Sequence, residues 1–186
     1  MTLTSTTAQG ENGGRRFQWS LTPSFVRYGQ KLGPVQGVGY VNELLARLTG
    51  QPVQDETKTN RTLDSSPVTF PLDRTMYADF SHDDQMVAIY SAIGLFKQKK
   101  HLSTTKAKPN RTWRSSRMTP FAARMVTEKL KCDGGEFVRI FVNDDLQPLD
   151  FCDANGSGLC SLKDFVASQE FARKNGDGDW EECFDS

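Results

Sequence analysis

Met76-Tyr77-Ala78-Asp79-Phe80-Ser81-His82-Asp83 is the stretch whose reading decides the fold. Met76 to Phe80 has the aromatic and apolar content of a short strand. From Asp83 onward Met86, Ile89, Tyr90, Ile93 and Phe96 recur at i, i+3, i+4 and i+7, which predicts an amphipathic helix. A strand that ends where a helix begins is where α/β proteins gather ligand chemistry, because loop side chains there meet free helical N–H groups that attract anions. A histidine beside an aspartate at that junction points to phosphate chemistry.

The whole chain has 186 residues, enough for one domain with a core, and shows no internal repeat. Only 37% is apolar, and the mean hydropathy is −0.55, so the core is expected to be incomplete. Lys and Arg number 23 against 23 Asp and Glu. That balance gives no general attraction to nucleic acid or to an anionic membrane. No apolar run is long enough to cross a bilayer, and Met1 to Ser20 lacks the apolar block of a secretory signal. Three Asn-x-Ser/Thr sequons begin at Asn60, Asn110 and Asn155 and weakly favour an extracellular protein.

Four cysteines are present. Cys152 and Cys160 flank the Gly-rich turn Asp153-Ala154-Asn155-Gly156-Ser157-Gly158, which lets the chain double back into a local disulfide. Cys132 and Cys183 leave three outcomes open: pairing with each other, free thiols, or bonds to sequence outside this chain. No CxxC spacing exists, so no zinc or other metal site is expected from the cysteines.

Residues 1–22 carry no periodic apolar pattern and read as disordered or foreign to the domain, which is expected to occupy 23–186. A first helix is marked by Pro34 at its start, by Val38, Val41, Leu45 and Leu48 on one face, and by Gly50 and Pro52 as stop signals. Gln51 to Pro71 reads as a long loop. Lys97 to Arg117 reads as a basic, solvated connection that includes an exposed His101. Thr119 to Lys131 fits strand or helix equally, whereas Phe137 to Val142 is a strand and Asn143-Asp144-Asp145 a turn. The last helix is predicted from a cap at Ser161, followed by Asp164, Phe165, Val166, Phe171 and Ala172, and an acidic tail closes the chain.

These landmarks resemble the C-terminal part of a histidine acid phosphatase, of the fungal phytase kind. The resemblance is carried by Leu32-Gly33-Pro34-Val35-Gln36-Gly37-Val38-Gly39 with Asn42-Glu43-Leu44, by Ala78 to Asp83, and by Leu102-Ser103-Thr104-Thr105. It continues through Pro120-Phe121-Ala122 with Arg124, Val142-Asn143-Asp144, and Gly178 to Phe184. The implied fold is α/β, the C-terminal portion of the phosphoglycerate mutase-like architecture: a mixed, incomplete sheet with flanking helices.

The resemblance implies phosphomonoester hydrolysis in two displacements, with inositol hexakisphosphate as substrate and no cofactor. His82 would donate a hydrogen bond to a phosphoryl oxygen, and Asp83 would be the general acid that protonates the departing alcohol. The nucleophile in that family is a histidine within Arg-His-Gly, and neither His82 nor His101 lies in such a motif. Loss of a covalent nucleophile removes several orders of magnitude in rate, so the chain alone is expected to be inactive without an N-terminal half.

The resemblance also makes Cys152–Cys160 a disulfide, pairs Cys132 and Cys183 with absent partners, and implies secretion. Asp84 departs from the usual Asn and sets a second negative charge beside Asp83, the acid that the resemblance implies. Two other readings compete. One is an inactive, truncated remnant of the same family. The other is a small calcium-binding module, because Asp153 to Asp164 has the carboxylate and glycine spacing of an EF-hand loop.

Overall fold

Val38, Val41, Leu45 and Leu48 form one apolar stripe, and all four are buried. The computed structural model, which describes residues 32–57, 61–98, 102, 106, 108–154 and 157–184, sets them on helix α2 (Val38–Thr49), after the single turn α1 (Leu32–Val35). The segment 1–22 lies outside the described residues. Helix α2 ends at Gly50, whose φ of 68° is left-handed and whose N–H donates to the Ala46 carbonyl. Glycine takes that conformation without a Cβ clash, so the predicted stop is a true C-cap.

Helix α3 (Asp83–Ile93) starts where the sequence predicts and ends at Gly94, again left-handed. Ile89, Tyr90 and Ile93 are buried and Met86 packs against them. Phe96 lies beyond the cap, yet its ring returns to the edge of Tyr90 at 5.6 Å between centroids.

The two helices meet at Gly37. A Cβ at that position would stand 2.4 Å from the Ala88 carbonyl oxygen and 2.9 Å from the Ala92 Cβ. Backbone blocks the first contact, so the helices must separate to admit any side chain. Gly37→Ala is therefore expected to cost about 1–3 kcal/mol through overpacking. Denaturant titration checks this, with a lowered midpoint at an unchanged slope as the expected result.

The short helix α4 (Ser115–Met118) leads through a loop into strand β1 (Met125–Cys132), so the ambiguous Thr119–Lys131 region resolves as loop to Arg124 and strand from Met125. Strand β1 pairs antiparallel with β2 (Gly135–Val142) from Met125↔Val142 to Cys132↔Gly135. Val138, Ile140 and Val142 alternate into the core, the period-2 pattern that their β-branched content predicts. Asn143 and Asp144 both have positive φ, 51° and 68°, and turn the chain into the two-residue strand β3 (Asp145–Leu146). Asn and Asp tolerate that conformation, and hairpin turns require it. Strand β4 (Cys160–Ser161) pairs with the start of β2, completing a four-stranded sheet with β2 at its centre.

Ser161 caps helix α5 (Leu162–Ser168): its hydroxyl oxygen accepts the Asp164 N–H at 3.1 Å, and its hydroxyl donates to the Asp164 carboxylate at 2.6 Å. Phe165, fully buried, packs near Phe151, and α6 (Glu170–Arg173) follows. Cys152 and Cys160 are bonded, with Cα atoms 6.0 Å apart. Replacing both by Ser is expected to cost about 2–3 kcal/mol, the chain-entropy value for so short a loop. Thermal unfolding of oxidised protein against the double variant measures it.

One expectation needs correction. Met76 to Phe80 is not a strand in this structure; it runs without any ladder partner among the described residues. A strand exists only when a neighbour takes up its N–H and C=O groups, and no described segment offers one. Met76 and Phe80 are accordingly 81% and 98% exposed.

Candidate active site

His82 occupies the N-cap position of α3 with extended backbone (φ −117°, ψ 165°), and its imidazole makes no capping bond. Asp83 is the first helical residue, and its Oδ1 accepts the Asp84 N–H at 3.0 Å. The Asp84 carboxylate in turn accepts the Gln85 N–H at 2.8 Å. Both His82 and Asp83 are exposed, so each is free to meet a ligand from solvent. The Gln85 side-chain amide donates to the Gln36 carbonyl at 3.2 Å and ties the first turn of α3 to the segment beside Gly37. The pair therefore sits at a helix N-terminus, where partial positive charge favours an anion, on a helix docked by backbone contact.

Arg47, near the end of α2, contacts the segment that leads to this pair. Its guanidinium donates to both carboxylate oxygens of Asp79, at 2.5 and 3.1 Å. It also lies over the rings of Phe70 and Tyr77, 4.8 and 4.9 Å from their centroids. Burial works against its charge, but the Asp79 hydrogen bond and charge outweigh burial and raise its pKa above the ordinary value. Tyr40 stands beside the same pair. Burial, reinforced by the negative charge of Asp79, pushes its phenol up to about 12. The sequence reading missed this cluster, since Tyr40 and Arg47 belong to α2 while Phe70, Tyr77 and Asp79 come from a later segment, and no local pattern announces the pairing.

A second network holds the loop after α4. The Asn143 side chain accepts the Arg124 N–H at 3.0 Å and donates to the carbonyls of Arg117 and Met118 at 2.8 and 3.1 Å. Arg124 also forms an ion pair with Asp144. These residues belong to the motifs singled out in the sequence, and their visible work is to fasten the Thr119–Arg124 loop to the β2–β3 turn.

The remaining predicted positions divide. Asn110 is described and exposed, as a glycosylation acceptor must be. Asn60, Asn155 and His101 lie outside the described residues. Cys132, at the end of β1, is an exposed thiol. In the loop of the calcium reading, the Asp164 carboxylate accepts a hydrogen bond from the Ser161 hydroxyl, and Asn155 and Gly156 lie outside the described residues. Among the described residues no group of three or more His, Cys, Asp or Glu is arranged to hold a metal. No described helix is long and apolar enough to cross a membrane.

The fold agrees with what the comparisons with known proteins give. The family model for the histidine phosphatase superfamily (branch 2) matches residues 14–143, and the chain belongs to that family. The chain is 45% identical to Phytase A of Aspergillus oryzae over 161 residues and 47% identical to Phytase A of Aspergillus fumigatus over the same length. Each match takes in 84% of this chain but 34% of the relative, so the chain spans about a third of the length of the curated relatives it matches. Among solved structures, the phytase from D. castellii superposes with a TM-score of 0.66 at 21% identity. That match covers 89% of this chain and 32% of the other, and shows the shared fold.

Proposed function

We propose that this chain supplies one wall of a histidine acid phosphatase active site that hydrolyses phosphomonoesters, inositol hexakisphosphate among them. The observation that carries the reading is the exposed His82–Asp83 pair at the N-terminus of α3, inside the region matched by the family model.

In the first displacement a histidine of the Arg-His-Gly motif forms a P–N bond as the ester P–O bond breaks. Asp83 gives its proton to the departing alcohol oxygen, and His82 donates to a phosphoryl oxygen as charge grows on it. In the second, water attacks phosphorus and gives a proton to the Asp83 carboxylate, the P–N bond breaks and inorganic phosphate leaves. This sequence contains no Arg-His-Gly, so the attacking imidazole comes from the remaining two thirds of the family fold. The exposed side chains of Met76 and Phe80 support the same view: an unpaired, apolar segment beside the site is what a sheet neighbour would cover.

The Cys152–Cys160 bond and the exposed Asn110 sequon support passage through an oxidising, glycosylating compartment and hence secretion. A competing reading, an inactive remnant of the family, draws on the absence of Arg-His-Gly.

The test joins residues 32–186 behind the N-terminal two thirds of Aspergillus fumigatus Phytase A and measures phosphate release from inositol hexakisphosphate. Activity in the fusion, with none from the chain alone, is the expected result. A folded fusion that releases no phosphate favours the remnant and contradicts the proposal.

A further inference from the structure

Residues 71–81 run for eleven positions without helix or strand and deliver the chain to His82. Among the described residues, the hydrogen bonds that tie this segment to the rest of the protein both come from Arg47, and both go to Asp79. Its other hydrogen bond, from the Arg74 N–H to the Tyr77 hydroxyl, is internal. The Tyr77 ring meets the same guanidinium, and so does that of Phe70, which just precedes the segment. Asp79 lies three residues before His82 and four before Asp83. At 13% side-chain exposure Arg47 is well enclosed, whereas Asp79 is 40% exposed.

We propose that Arg47 is a positioning residue for the His82–Asp83 pair, fixing through Asp79 and Tyr77 the path by which the backbone enters α3. This rests on the phosphatase reading of that pair. The physical argument is one of leverage. His82 has no side-chain capping bond of its own, so its direction follows from the backbone on either side. On the helical side, Gly37 and Gln85 dock the first turns of α3. On the other side the Arg47 fork is the matching restraint. A planar fork with two parallel bonds fixes an angle as well as a distance, which an ammonium group cannot do.

Two measurements test the inference. In the chain itself, trypsin cleavage after Arg74 is followed by mass spectrometry, with cleavage after Lys163 on α5 as an internal control. Arg47→Met is expected to speed the Arg74 cut about tenfold or more while the Lys163 cut is unchanged, since opening of the loop alone sets its rate. In the phytase fusion, Arg47→Met is expected to lower kcat by about 10- to 100-fold with KM nearly constant, the cost of a misplaced catalytic group.

Arg47→Lys should recover only part of either effect. Arg47→Met combined with Asp79→Asn should be no worse than Arg47→Met alone, because one interaction is lost in both. An unchanged Arg74 cut, full recovery with Lys, or a change confined to KM overturns the positioning role. An unsubstituted fusion without activity overturns the phosphatase reading instead, and the proteolysis of the chain still decides whether Arg47 holds the segment.

Discussion

Asp83→Asn in the fusion with the N-terminal part of Aspergillus fumigatus Phytase A is expected to lower kcat/KM on inositol hexakisphosphate by about 10²–10⁴-fold, the usual worth of a positioned general acid. An inositol alkoxide is a poor leaving group, so the P–O bond breaks readily only if a proton arrives as charge develops. Asn keeps the size of the side chain and an Oδ1 able to accept the Asp84 N–H, so the first turn of α3 should survive. Circular dichroism and thermal unfolding should match the parent. A large kinetic loss without a stability loss separates a proton donor from a helix-capping group.

His82→Ala is expected to cost about 10²–10³-fold in kcat, the range for removing one donor to a developing oxyanion. The structure makes this substitution clean. His82 holds the N-cap position without a capping bond, so Ala removes no hydrogen bond from the helix. An Asn or Ser at an N-cap would lose about 1 kcal/mol on such truncation, and His82 should lose far less. The loss should be similar for every ester, because the phosphoryl oxygens are the same whichever alcohol departs. Kinetics on two substrates of different leaving-group acidity check this.

Much of the architecture was legible because it is written locally. The α2 stripe from Val38 to Leu48 and the α3 stripe from Met86 to Ile93 are properties of a single helix, and burial followed the period. The alternation through Val138, Ile140 and Val142 told strand from helix for the same reason. Ser161 and Asp164 announced their cap, and Cys152 and Cys160 their bond, within nine residues of chain. The strand portion of Thr119–Lys131 has a marker of its own: Asp133-Gly134, a hairpin dipeptide, stands just before β2 and turns β1 into its partner.

What was not legible depends on two segments at once. Met76 to Phe80 has strand composition, but a strand needs a second backbone, and no described segment supplies one. The Arg47–Asp79 fork joins residues 32 positions apart, and nothing near either residue marks the pairing. The candidate site stands between these cases. His82 and Asp83 are adjacent, so their junction could be found from the sequence, whereas their roles came from the family resemblance and not from any spacing.

The central claim, that Asp83 hands a proton to a departing alcohol, is tested most directly by comparing two esters in the Asp83→Asn fusion. Nitrophenolate leaves without protonation; an inositol alkoxide does not. The account predicts a loss in kcat/KM of about 10²–10⁴-fold on inositol hexakisphosphate and of no more than about threefold on p-nitrophenyl phosphate. Equal losses on both esters, or no loss on either, would contradict it.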